Sequence, residues 1–222
     1  MSDQNTSSVQ EKLRKIIAPD RAALVIIDMQ NDFVSARGKM AEFGFYLGNV
    51  QATIKPIQAL LQTARALDYP VIHTSMINDV NQNPFSWYTF WGKPAVTLPG
   101  SWGAEHIDEL KPQKGELTVT KYTYGAFEGT NLNTILRRNG IQTLMLAGTD
   151  LNICAGDTLH HAFALGYHVV AVSDCLASFS KMGAEHSAQL HQLGLYIVEN
   201  HFGTVISSRQ LMAIMSQPWA SE

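Results

Sequence analysis

Cysteine is scarce in this chain. Only Cys154 and Cys175 occur in 222 residues, too few for a disulfide framework and in keeping with a reducing compartment. No apolar run approaches the roughly 20 residues that a bilayer-crossing helix needs. The first twenty residues, MSDQNTSSVQEKLRKIIAPD, are polar and lack the apolar centre of an export signal. The expectation is a cytoplasmic protein without a membrane partner. Charge is also sparse: 16 Lys and Arg against 19 Asp and Glu leave a net charge of -3. That is not the basic balance of a nucleic-acid or anionic-membrane binder. Repeats and low-complexity tracts are missing too. A hydrophobic share of 45% with 16% charged residues describes an ordinary globular protein. The length suits one domain with a full core. We read a polar arm over residues 1–20, then a single domain over residues 21–222 with an aromatic-rich insertion at 76–115.

What is present is an alternation of short apolar runs with helical periodicity. AALVIID, residues 22–28, is a continuous apolar run ended by an acid, the pattern of a central parallel strand buried on both faces. Residues 49–67 carry Val50, Ile54, Ile57, Leu60, Leu61 and Ala64 at helical spacing. Pro56 inside that segment marks either a kink or the true start. YPVIHT, 69–74, reads as a second strand, with His73 a satisfied edge histidine rather than a ligand. A short helix over 105–110 and a strand over 117–120 follow, then a helix over 130–139 closed by Gly140 and a strand over 141–147. LMLAGTDLNICAGDTLHHAFALGYHVVAVS, 144–173, is a β-α-β unit with Cys154 in the first turn of its helix and Gly166 at its end. Beyond it we expect a helix over 181–193, a strand over 194–198 and a helix over 207–215.

Three reactive side chains each follow a different strand: Asp28, Lys121 and Cys154. Taken singly they have plain readings, as a turn cap, a surface lysine and a small buried hydrophobe. Taken together they share one rim, because parallel strands end on the same side of a sheet and ligands bind there. A thiol at a helix N-terminus is pushed toward thiolate, and a carboxylate and an ammonium would supply its base and its counter-charge. The insertion is rich in aromatics, including Trp87, Tyr88, Phe90 and Trp91, which suit a substrate lid or a subunit contact equally. Phe33 and Phe127 stand next to the first two motifs and are candidate pocket walls. His160 and His161 read as packing or surface groups, and Cys175 as a buried structural thiol.

IIDMQNDF with Asp28, TKYTYGAF with Lys121 and GTDLNICAGDTLHHAFALGYHVVAVSD with Cys154 resemble, in order, the motifs of the isochorismatase-like cysteine hydrolase superfamily. That group includes nicotinamidases and N-carbamoylsarcosine, biuret and ureidoacrylate amidohydrolases. The resemblance implies a three-layer α/β/α fold on a six-stranded, mainly parallel, Rossmann-like sheet, and an Asp-Lys-Cys triad. It implies a cis peptide between Thr149 and Asp150, with the N–H groups of Asp150 and Cys154 as oxyanion hole. It also implies a homo-oligomer, dimer or tetramer, acting on a small-molecule substrate with no cofactor. Members that cleave a vinyl ether lack the cysteine, so Cys154 points to hydrolysis of a C–N bond in a small amide, ureido or carbamoyl compound. A cyclic or aromatic amide, or a silent scaffold of the same fold, is the alternative. Nicotinamidase-like members carry a metal-binding Asp-x-His that residues 41–73 lack, so no metal is expected. Asp150, Leu151 and the pair Gly156 and Asp157 depart from the usual pattern, and the Asp150 side chain is expected to turn away from the oxyanion.

Overall fold

The computed structural model describes residues 11–92 and 95–219. Six strands form one sheet: β1 (Ala22–Ile27), β2 (Val71–Met76), β3 (Leu117–Lys121), β4 (Thr143–Thr149), β5 (His168–Ala177) and β6 (Thr204–Ile206). Their order is β3-β2-β1-β4-β5-β6 and every pairing is parallel. The order reverses direction at β1, so β1 and β4 flank the crevice where a doubly wound sheet takes its ligand. Both strands are wholly buried, which is why they read as continuous apolar runs rather than alternating ones.

The longer helices are α1 (Gly48–Ala66), α2 (Phe85–Trp91), α3 (Leu132–Arg138), α4 (Cys154–Ala164), α5 (Ala184–His201) and α6 (Ser208–Met215). They cover the two faces in separate cores. One holds Leu24, Ile26, Met145 and Val170 under Ile57, Leu60 and Leu61 of α1 and Leu211 of α6. The other holds Ala23, Val25, Leu144 and Leu146 under Leu136 of α3 and Leu159 of α4. Burying Ile57, Leu60 and Leu61 is worth about 5 to 9 kcal/mol, at roughly 1.5 to 3 each. Pro56 lies inside α1, so it neither starts nor ends that helix. The Ala52 carbonyl that loses its partner to proline belongs to an exposed residue, where water can take it.

Several boundaries differ from the sequence reading. Residues 11–16 are helical, and Leu13 and Ile17 are buried in the first core, so from residue 11 onward the arm is part of the domain. Its first ten residues lie outside the described ones. The expected strand at 194–198 is instead the continuation of α5, and the sixth strand is 204–206. Gly194 drew the boundary, yet its role is close approach: a Cβ there would come within 2.7 Å of Asn152 and 2.8 Å of Leu151. The expected helix at 105–110 is only a single 3-10 turn, Asp108–Leu110. β2 starts later than expected, which places His73 inside the sheet and fully buried rather than at an edge. No described helix is long and apolar enough to cross a membrane.

Candidate active site

Asp28, Lys121 and Cys154 converge. Asp28 follows β1 with φ 49°, Lys121 is the last residue of β3, and Cys154 opens α4 after β4. Lys121 is completely buried, far from the surface lysine that its type suggests. Its Nζ lies 2.7 Å from Asp28 Oδ2 and donates to the carbonyls of Thr123 at 3.1 Å and Tyr124 at 2.7 Å. A buried ammonium is tolerable only with such partners. Asp28 Oδ1 accepts the Thr74 hydroxyl at 2.6 Å, and the Asp28 N–H donates back to Thr74 Oγ1 at 3.2 Å. That two-point grip leaves Oδ2 to the lysine and the thiol.

The electrostatics correct one expectation. Burial pushes the Cys154 thiol up, Lys121 pulls it down, and the charge and hydrogen bonding of Asp28 push it up again. The net direction is upward, against the pull expected of a helix N-terminus. Burial works against the Lys121 ammonium, but Asp28 and then Cys154 more than offset it, and its pKa is raised.

The Thr149–Asp150 peptide is cis. The Asp150 carbonyl accepts from Ile153 N at 3.1 Å and Ala155 N at 2.9 Å. Among the described residues no acceptor is found for the N–H of Asp150 or of Cys154. The Asp150 carboxylate is turned to other donors, Asn152 N at 2.8 Å and Phe179 N at 2.7 Å. Burial nonetheless raises its pKa to about 6 against the pull of those donors. Leu151 sits where α5 has Gly194, the small residue making room for the large one. Thr158 ties the triad loops together, donating to the Cys154 carbonyl at 2.7 Å and accepting from Ala126 N at 3.0 Å.

Cys154 lines a cavity of about 360 Å³. Of the aromatics named from sequence, Phe33, Trp87 and Trp91 line it. Three do not: Tyr88 donates to Asn83 Oδ1 at 2.7 Å, Phe90 is 78% exposed, and Phe127 stacks on Tyr167. A single helix cannot aim four aromatics spread over five successive positions at one side, and Phe127 packs into the second core. The walls that sequence reading missed are Phe43, Phe45, Tyr124 and Phe179. Tyr124 stood inside a motif already singled out. Phe45 and Phe179 are brought together by a bridge between Tyr46 and Ser180, for which the sequence carries no local signal. A second hollow of about 530 Å³ lies at the opposite rim, by Val71, Leu117 and Ile141, away from the triad. His160 packs on Phe202 and Cys175 is buried. Among the described residues no three His, Cys, Asp or Glu side chains are grouped to hold a metal ion.

The sequence profile of the isochorismatase domain matches residues 22–210. A ureidoacrylate amidohydrolase of Agrobacterium fabrum is 28% identical, over 90% of this chain and 92% of its own. A secreted isochorismatase effector of Verticillium dahliae is 32% identical over 86% and 90%. Among solved structures, a cysteine hydrolase from Pseudomonas syringae pv. phaseolicola superposes with a TM-score of 0.81 at 26% identity, covering 90% of this chain and 94% of that one.

Proposed function

The chain belongs to the isochorismatase family of hydrolases, and from that premise we propose a cysteine-dependent amidohydrolase that cleaves a C–N bond in a small amide, ureido or carbamoyl compound. The observation that carries this is the meeting of the buried Asp28–Lys121 pair with Cys154, which lines a cavity. The similarity to a ureidoacrylate amidohydrolase supports the ureido class. The aromatic walls favour a flat body next to the scissile bond, whether a conjugated ureide or an aromatic amide.

In this reading Sγ attacks the carbonyl carbon as its proton passes to Asp28 Oδ2. Lys121 holds that carboxylate in place and offsets the charge left on sulfur. The carbonyl oxygen, now anionic, takes the free N–H groups of Asp150 and Cys154. Collapse breaks the C–N bond, and the proton on Asp28 leaves with ammonia or amine. Water then gives its proton to Asp28 and its oxygen to the acyl carbon, and sulfur departs with that proton. Thiol, carboxylate and ammonium are restored.

The test is release of ammonia or amine from a panel of ureido acids, carbamoyl amino acids and simple amides. We expect turnover by the wild type and a loss of at least about a thousandfold in Cys154→Ala, the scale on which nucleophile removal acts. Equal turnover by both proteins would sink the mechanism.

A further inference from the structure

The polar groups around the cavity are almost all committed. Asn78 donates to the Val96 carbonyl at 2.9 Å and accepts from Trp87 Nε1 at 2.8 Å. Both Asp150 oxygens are taken by backbone N–H groups, and Lys121 serves Asp28. Two polar side chains in the lining are left over. The Thr149 hydroxyl, in a residue only 1% exposed, has no hydrogen-bond partner. It stands five residues before the nucleophile. The other is Lys181, whose ammonium has no carboxylate within ion-pair distance among the described residues and lies 4.9 Å from the centre of the Phe45 ring.

Lys181 is also held in place at its base. The preceding Ser180 gives its carbonyl to Tyr46 N at 2.8 Å. Its hydroxyl pairs with His186 at 2.8 Å and accepts from Met182 N at 3.0 Å. Lys181 is exposed, and its ammonium lies over the ring of Phe45, itself packed edge-on against Phe179. An unpaired, solvent-reachable cation over an aromatic wall, in a cavity otherwise short of free polar groups, is a receptor for one negative charge.

We propose that Lys181 is the carboxylate-recognising residue of this site, so that the substrates are amido or ureido acids. Their reactive carbonyl lies at Cys154, their apolar middle runs between the aromatic walls, and their carboxylate ends on Lys181. The Thr149 hydroxyl takes an N–H of the amide or ureide head. This assignment rests on the amidohydrolase reading for what happens at Cys154, but the charge preference is a property of binding and is measurable without turnover.

The experiment compares N-carbamoylglycine, 3-ureidopropionate and 4-ureidobutyrate with their methyl esters. Binding is measured by calorimetry on the Cys154→Ala protein, alone and combined with Lys181→Met or Lys181→Arg. At least one acid should bind about tenfold tighter than its ester, the lower end for a hydrogen bond between charged groups. Lys181→Met should abolish that preference by weakening the acid and not the ester. Lys181→Arg should keep most of it, and added salt should erode it. The chain length that gains most reports the distance from the thiol to Lys181. The proposal is overturned if no acid outbinds its ester, or if the preference survives Lys181→Met. Turnover by the wild type is scored separately. Acid-selective binding through Lys181 with no turnover would remove the hydrolase reading and leave the subsite, whereas turnover without acid preference would do the reverse.

Discussion

Thr74 does more for the site than its type suggests. Among the described residues its hydroxyl is the one side-chain hydrogen-bond donor found for Asp28 Oδ1, and the Asp28 N–H returns to it. It therefore decides which oxygen faces the thiol. Replacing it by valine keeps the shape but strands a buried carboxylate oxygen and a buried N–H. A hydrogen bond to a charged group is worth about 2 kcal/mol, so kcat should fall roughly thirtyfold with KM little changed. Thr74→Ser should restore kcat. A Thr74→Val enzyme with unchanged kcat would show that Asp28 is aimed by something else. The contrast with Cys154 is instructive about what sequence conveys. The positions of Asp28, Lys121 and Cys154 are legible because each ends or follows an apolar run. Thr74 is silent, since a threonine in a buried strand is ordinary. The upward push on the thiol is silent as well, because it depends on how deeply Cys154 is buried beside Asp28 and Lys121.

Among the elements, β2 and β3 are joined by more than their ladder. Arg65 of α1 reaches Glu116 at 2.7 Å, Glu116 meets His73 of β2 at 3.0 Å, and His73 lies edge to face with His106. Burial first, and His106 second, hold His73 down at about 4, with Glu116 opposing. The unfolded chain binds a proton on this residue below pH 6.5 and the folded one does not until about pH 4. Stability from this source is therefore complete above pH 6.5 and is lost as the pH falls toward 4, a contribution of about 3 kcal/mol. Asp150 has the opposite sign: the folded state takes its proton near pH 6, above the unfolded value, so its contribution is greatest in acid and is lost as the pH rises to 6. Only a difference isolates the histidine. Urea unfolding at pH 7 and pH 4.5 should show that His73→Gln has a pH dependence smaller than the wild type by about 2 to 3 kcal/mol. Equal dependence would mean that His73 titrates normally. None of this was visible in YPVIHT, which gives the strand but not its depth. The sheet could be read from sequence because period and run length report burial. α5 could not, because Gly194 followed by Leu195, Tyr196, Ile197 and Val198 looks like the start of a strand. The continuation is fixed by Leu151 and Asn152, more than forty residues away.

At the scale of the whole molecule, α2 has two sides that ask for different things. Trp87 and Trp91 face the cavity, with Trp87 against Tyr124 and Trp91 donating to the Tyr124 hydroxyl at 2.8 Å. Phe85 and Phe90 face outward at 89% and 78% exposure, and no residue of the helix is buried. Large apolar side chains that project together from one short helix are a common sign of a covered surface. A second copy of the chain is the cover that the sequence reading expected, and it would set lid and subunit contact on the same helix rather than making them rivals. Light scattering coupled to size exclusion should then give a dimer or larger for the wild type. Phe85→Ser with Phe90→Ser should shift it toward monomer while leaving the far-ultraviolet dichroism of the folded sheet intact. Loss of the contact should also loosen the roof that Trp87 and Trp91 form, so KM should rise in the same variant. A wild type that elutes as a monomer at micromolar concentration would detach the two roles. The outward phenylalanines would then belong to some other surface, and the cavity would have to be roofed by α2 alone.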